Sequence, residues 1–183
     1  MANRVARYQA DRTNQKLYFC RIYCELAEET EQKQLADAHL ESAILHLYGG
    51  YLAFLQEIAR YYQLKITNPT LMIIADKLAE KTQISPEIVR LRQLSKTDFL
   101  SDIEQAWQHV NFKPISKEIT QEANQEISQQ SSDSNRLPTV DVMANETFGK
   151  NLPGAVISVD MVRQWRTDLL TVIEDLRTGM VEF

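Results

Sequence analysis

The longest apolar pattern in the chain lies between Gln34 and Leu64. Laid on a helix of 3.6 residues per turn, Leu40, Ile44, Leu47, Tyr51, Phe54, Ile58 and Tyr61 fall in one narrow stripe. Leu45, Tyr48, Leu52, Leu55, Ala59 and Tyr62 form a second stripe beside it. An apolar face this wide belongs to a helix packed against several neighbours. Gly49 and Gly50 sit in its middle, where each costs about 1 kcal/mol relative to Ala. Leu40, Ile44 and Leu47 before the pair keep phase with Tyr51, Phe54 and Ile58 after it, so the pattern predicts one unbroken helix.

Ahead of it, the spacing predicts a first helix from residue 4 to about 29, with Val5, Tyr8, Phe19, Ile22, Tyr23 and Leu26 on its apolar side. From Glu28 to Gln34 the apolar residues stop without a helix breaker, and Thr30 is placed to cap a second helix. A tight turn and an antiparallel hairpin fit this junction better than one continuous helix of about 60 residues, because helices average roughly 10–14. The continuous alternative implies a coiled-coil dimer.

After Leu64, Asn68-Pro69 marks a turn. A third helix is expected over about Thr70 to Thr82, turning Leu71, Ile74, Leu78 and Ala79 inward. Ser85-Pro86-Glu87 is a helix start with a cap, a proline at the first position and an acid in the first turn. That helix is expected to reach about Leu94 and to expose Arg90 and Arg92. Thr97-Asp98 caps a fifth, about Asp98 to Asn111, with Phe99, Leu100, Ile103, Trp107 and Val110 apolar. Residues 116–137 are rich in Gln, Ser, Asn and Glu; they are expected to be mobile, with room for a short helix over Ser116 to Ile127. Residues 139–157 are expected to form an irregular segment lying on the bundle, with Val140 to Met143 extended. Ser158 caps a last helix, whose apolar face is Val159, Val162, Trp165, Leu169, Val172, Ile173 and Leu176, and Gly179 ends it. That face requires the core of the first half, so residues 1–183 are expected to be one domain. The fold class is all-α, a bundle of five or six helices around a long antiparallel N-terminal helical hairpin.

Composition narrows the function classes. With 5 Gly and 5 Pro in 183 residues there is little turn material for a β fold. A net charge of −5 weighs against nucleic acid as the main partner, because that binding neutralises phosphates. No apolar run reaches the length of a membrane span, so no membrane partner is expected. The polar N-terminus has no signal-peptide core, and two cysteines then indicate free thiols in the cytoplasm.

No constellation points to catalysis. Cys20 and Cys24, four apart on one helix face, are poorly placed for a disulfide, and zinc would need two further ligands. His39 and His46 are two turns apart, roughly 10 Å along the axis. Glu-x-x-His, His-Glu-x-x-His, a phosphate-binding glycine loop and a Gly-x-Ser-x-Gly elbow are all missing. The sequence therefore assigns no catalytic residue, no metal and no cofactor. Its one candidate surface is the side of the second helix away from the apolar stripes: His39, Ser42, His46, Gly49, Gly50, Ala53, Glu57 and Arg60. Small residues there allow close backbone approach. The surface suits another segment of the chain, a protein partner or second copy, or a polar ligand held by His46 and Glu57. A non-enzymatic interaction or scaffold module is the expected function, and a small-molecule or nucleotide-binding bundle the alternative.

The segments TNQKLYF (Thr13 to Phe19) and LHLYGGYLAFLQEIARYY (Leu45 to Tyr62) resemble an uncharacterised bacterial family of small helical proteins that carries only a domain-of-unknown-function label. The resemblance covers the first third of the chain; it implies the hairpin and no activity. A more distant similarity to HEPN-type bundles implies an RNA-related helical scaffold. RNA-cutting members of that group place an Arg four to six residues before a His. The corresponding positions before His39, His46 and His109 hold none, so the similarity implies a bundle lacking that catalytic motif.

Overall fold

A computed structural model describes residues 2–112 and 157–181. Those residues form six helices: α1 (Ala2–Glu29), α2 (Lys33–Tyr61), α3 (Leu71–Glu80), α4 (Pro86–Thr97), α5 (Phe99–Phe112) and α6 (Val159–Val181). There is no strand among them, and the fold is an all-α bundle. Residues 116–137 and all but the last of 139–157 lie outside the described residues.

The pairing of α1 and α2 is the most extensive in the bundle. Its direction is set by side chains meeting across it: Thr13 with Glu57, Lys16 with His46, and Tyr23 with His39. Residue numbers rise on one helix as they fall on the other, so the hairpin is antiparallel. α6 lies along α1 in the same opposed sense. Arg163 pairs with Glu28, Arg166 Nε donates to the Leu17 carbonyl at 2.8 Å, and Arg177 reaches Asn14 at 3.0 Å. α5 packs on α2 and α6, while α3 and α4 close the far end.

The core follows the main stripe read from the sequence. Ile44, Leu47, Tyr51, Phe54 and Ile58 of α2 are buried with Leu17, Cys20 and Cys24 of α1, and with Val162, Trp165, Leu169 and Ile173 of α6. α2 runs through Gly49 and Gly50 unbroken. The second stripe divides: Leu55 and Ala59 are buried, Tyr48 and Tyr62 are partly covered, and Leu45 and Leu52 are exposed. Ala79, expected inward, is exposed on α3.

Caps account for most helix boundaries. Thr70, Ser85 and Ser158 each accept a hydrogen bond from a backbone N–H three residues on, at 3.2, 3.2 and 3.3 Å. Asp98 accepts from the Phe99 N–H at 2.8 Å. Thr30 differs from expectation. Its hydroxyl donates back to the Leu26 carbonyl at 2.6 Å and closes the end of α1, while Gln32 starts α2 without a side-chain cap. Gly179 also differs, since α6 continues past it to Val181. α2 and α3 stop where Gln63 and Thr82 take a left-handed backbone (φ 53° at each), which lets Leu64 and Gln83 bond back to Ala59 and Leu78.

Candidate functional site

The eight residues singled out on α2 turn mostly toward α1. Gly50 is buried so closely that an added Cβ would lie 2.9 Å from Leu17 Cδ2. At Gly49 the same atom would sit 3.5 Å from the aliphatic stem of Lys16, an ordinary contact. The two glycines bring the helix axes together, and each meets a different part of α1. His46 stacks on Tyr23 with centroids 5.3 Å apart, meets the edge of Phe19 at 5.2 Å, and lies 3.4 Å from Lys16 Nζ through Nδ1. His39 is tilted against Tyr23 at 5.9 Å. Ser42 donates to the Ala38 carbonyl of its own helix at 2.8 Å, Ala53 is partly exposed, and Arg60 is exposed. Burial, with Lys16 and Arg12 close by, pushes the imidazole of His46 below its usual range. Burial also lowers the Lys16 ammonium, with Arg12 adding to it.

Glu57 ends this strip in a polar cluster that joins three helices. Arg177 of α6 grips both its oxygens, at 3.0 Å through Nε and 2.8 Å through the terminal nitrogen. Thr13, fully buried on α1, donates to the same carboxylate, and the other terminal nitrogen of Arg177 donates to Asn14 at 3.0 Å. The side chains of Glu57 and Arg177 are 9% and 22% exposed. Two parallel charge-assisted bonds in so little water fix geometry more firmly than a surface pair does.

Sequence reasoning missed a second buried acid. Glu87, the acid of the Ser-Pro-Glu start, is 4% exposed. It accepts from Tyr62 Oη at 2.7 Å and from the Ser85 hydroxyl. The electropositive first turn of α4 adds to this compensation. Among the described residues no lysine or arginine forms an ion pair with it. Burial first, with the Glu87 carboxylate adding to it, raises the Tyr62 phenol to about 12. Nothing in the triplet distinguishes a buried acid from one that complements a helix end in water.

Cys20 and Cys24 are free and fully buried, and the neighbouring Cys24 thiol, with burial, pushes the Cys20 thiol up. The described residues hold no group of three His, Cys, Asp or Glu able to bind a metal ion. Nor does any described helix have the length and apolarity to cross a membrane.

A different surface lies where α5 crosses α2. Tyr48 stacks on Trp107 with centroids 4.5 Å apart, and Phe112 meets Trp107 edge-on at 5.8 Å. Around this stack Leu45, Leu52 and Phe112 are 42%, 36% and 70% exposed. Glu104 is close enough to raise the Tyr48 phenol, after burial as the larger cause, and Glu41 stands one turn before Leu45. The result is a short aromatic and aliphatic seam with an acidic rim.

A family model described as "Family of unknown function (DUF6586)" matches residues 8–183. The chain belongs to that family. The match extends well beyond the first third, taking in α2 to α6 and most of α1. No curated protein and no solved structure matches the chain.

Proposed function

We propose that this DUF6586 chain is a cytoplasmic, non-enzymatic interaction module that docks an amphipathic, basic-flanked helix of another protein on the α2–α5 seam. The observation that carries the reading is the exposure of Leu45, Leu52 and Phe112 around the Tyr48–Trp107 stack. Exposed aromatic and aliphatic groups clustered on one face are the usual core of a helix-in-groove contact. The acidic rim selects the occupant. Glu41 and Glu104 favour lysine or arginine beside the apolar face of a partner. In a two-fold contact between copies the same acids would be brought together, which disfavours self-association. The two buried cysteines, both free thiols, suit a reducing compartment.

The test uses the full chain and a labelled model peptide helix with leucines at i, i+3, i+4 and i+7 and lysines on its flanks. Fluorescence anisotropy is expected to give saturable binding. Leu52→Glu is expected to abolish it without lowering the melting temperature, and glutamate flanks on the peptide to weaken it. Equal binding by Leu52→Glu, or indifference to the flanking charge, would overturn the proposal. So would a dimer in sedimentation that Leu52→Glu converts to monomer.

A further inference from the structure

On the other side of α2, the outer groove of the α1–α2 hairpin gathers positive charge that no acid among the described residues pairs with. Lys16 Nζ lies 3.4 Å from His46 Nδ1, so two groups that both carry a proton when charged abut one another. Arg12 stands one turn before Lys16 on α1, and its charge acts on both. Among the described residues no carboxylate pairs with Arg12, Lys16 or His46; Arg12 holds only Gln15, at 2.9 Å. The one acid on the strip, Glu57, has both oxygens engaged by Arg177 and one also by Thr13.

The groups are also held in place. The Lys16 stem lies across Gly49, whose missing side chain leaves room for it. The His46 ring is fixed between Tyr23 and Phe19. Gly49 and Ala53 keep the α2 side of the groove low beside the ammonium. The fixed, half-buried Lys16 ammonium has the exposed Arg12 guanidinium nearby on its own helix, a repulsion that an anion relieves, and the preorganised Lys16 and His46 lose little freedom on binding.

We propose that Arg12, Lys16 and His46 form a binding site for a phosphate-class anion in the outer groove of the α1–α2 hairpin. Lys16 and Arg12 donate to the phosphate oxygens. His46 is neutral in the empty groove, turns its Nδ1 toward Lys16, and takes up a proton when the anion arrives. Binding therefore tightens as the pH falls toward the imidazole range. The facing titratable groups are Lys16, Arg12 and Tyr23 from α1, with His39 beyond Tyr23 on α2.

The test is a proton NMR titration of the three histidines in the full chain, at constant ionic strength, with inorganic phosphate, pyrophosphate and a nucleoside monophosphate as separate arms. The His46 titration is expected to move upward by about one pH unit on saturation, with His109 unmoved. Lys16→Met is expected to weaken binding about tenfold or more, the loss of one charged hydrogen bond, and Lys16→Arg to retain it. A nucleoside arm tighter than pyrophosphate assigns the phosphate to a small-molecule monoester, and the reverse order to a free phosphate. Three histidines that move together, no movement of His46 in any arm, or Lys16→Met binding like wild type at an unchanged melting temperature would each overturn the proposal. Leu52→Glu, on the α5 side of α2, is expected to leave these shifts intact, which separates this site from the seam.

Discussion

Adjacent glycines in one helix should respond in opposite senses to the same substitution. Replacing a helix-interior glycine by alanine contributes about 1 kcal/mol through backbone entropy and helix propensity. At Gly49 nothing opposes this gain, because the new methyl would make ordinary contact with the Lys16 stem at 3.5 Å. Gly49→Ala should therefore stabilise by about 0.5–1 kcal/mol, a rise of roughly 1–4 °C in melting temperature for a chain of this size. At Gly50 the methyl would meet Leu17 Cδ2 at 2.9 Å and Cγ at 3.2 Å. Leu17 is fully buried and has no open side to move into. Overpacking of this kind costs typically 1–3 kcal/mol, which cancels or exceeds the propensity gain. Gly50→Ala should thus fall below Gly49→Ala by about 1–3 kcal/mol in urea denaturation. A double-mutant cycle isolates the cause: with Leu17→Ala in the background, Gly50→Ala should become stabilising. Equal effects of the two alanines, or no coupling between residues 17 and 50, would refute the close helix approach.

Three other perturbations follow from the buried polar groups. Arg177→Met leaves the Glu57 carboxylate with Thr13 alone and should cost about 2–3 kcal/mol, between the values for exposed and fully buried pairs; the exposed Arg90–Asp175 pair at 3.9 Å is the control, and Arg90→Ala should change stability by less than about 0.5 kcal/mol. Tyr62→Phe removes a donor from the buried Glu87 and should cost about 1–3 kcal/mol in urea denaturation, whereas Tyr61→Phe should be neutral. The third concerns pH. Because the folded state lowers His46 below its ordinary value of 6.5, its contribution to stability is complete above that pH and is lost as pH falls through it toward the folded value. Melting temperatures between pH 7 and pH 5 should fall less steeply in His46→Gln than in wild type, and identical slopes would contradict the assignment.

The hairpin, the order of the helices and most caps were legible in the sequence because they depend on local rules. Thr70, Ser85, Asp98 and Ser158 cap the helices that follow them, and the Ile44–Ile58 stripe is the core of α2. What stayed hidden depends on partners far along the chain. By sequence Glu57 is paired with His46 as a holder for a polar ligand, whereas in the structure Arg177, 120 residues later, closes on it. Lys16 and Thr13 lay inside TNQKLYF, a segment conspicuous only by resemblance, with no periodic signal of their own. Glu87 reads as an ordinary helix-start acid because its burial beside Tyr62 leaves no mark on Ser-Pro-Glu. Leu45 and Leu52 belong to an apolar stripe by spacing, yet periodicity cannot say how much of a wide face its neighbours will cover. Thr30 had two helix ends within reach and serves the first.

The α2–α5 seam is proposed to receive a helix from another protein. The most direct measurement places a photo-crosslinking side chain at position 52 of the full chain in cells and identifies the joined peptide by mass spectrometry. The expected product is a peptide from a different protein, apolar on one helical face and carrying lysine or arginine beside it, absent when Leu45→Glu is added. A cross-link to residues 139–156 of the same molecule, or to a second copy of the chain, would contradict it.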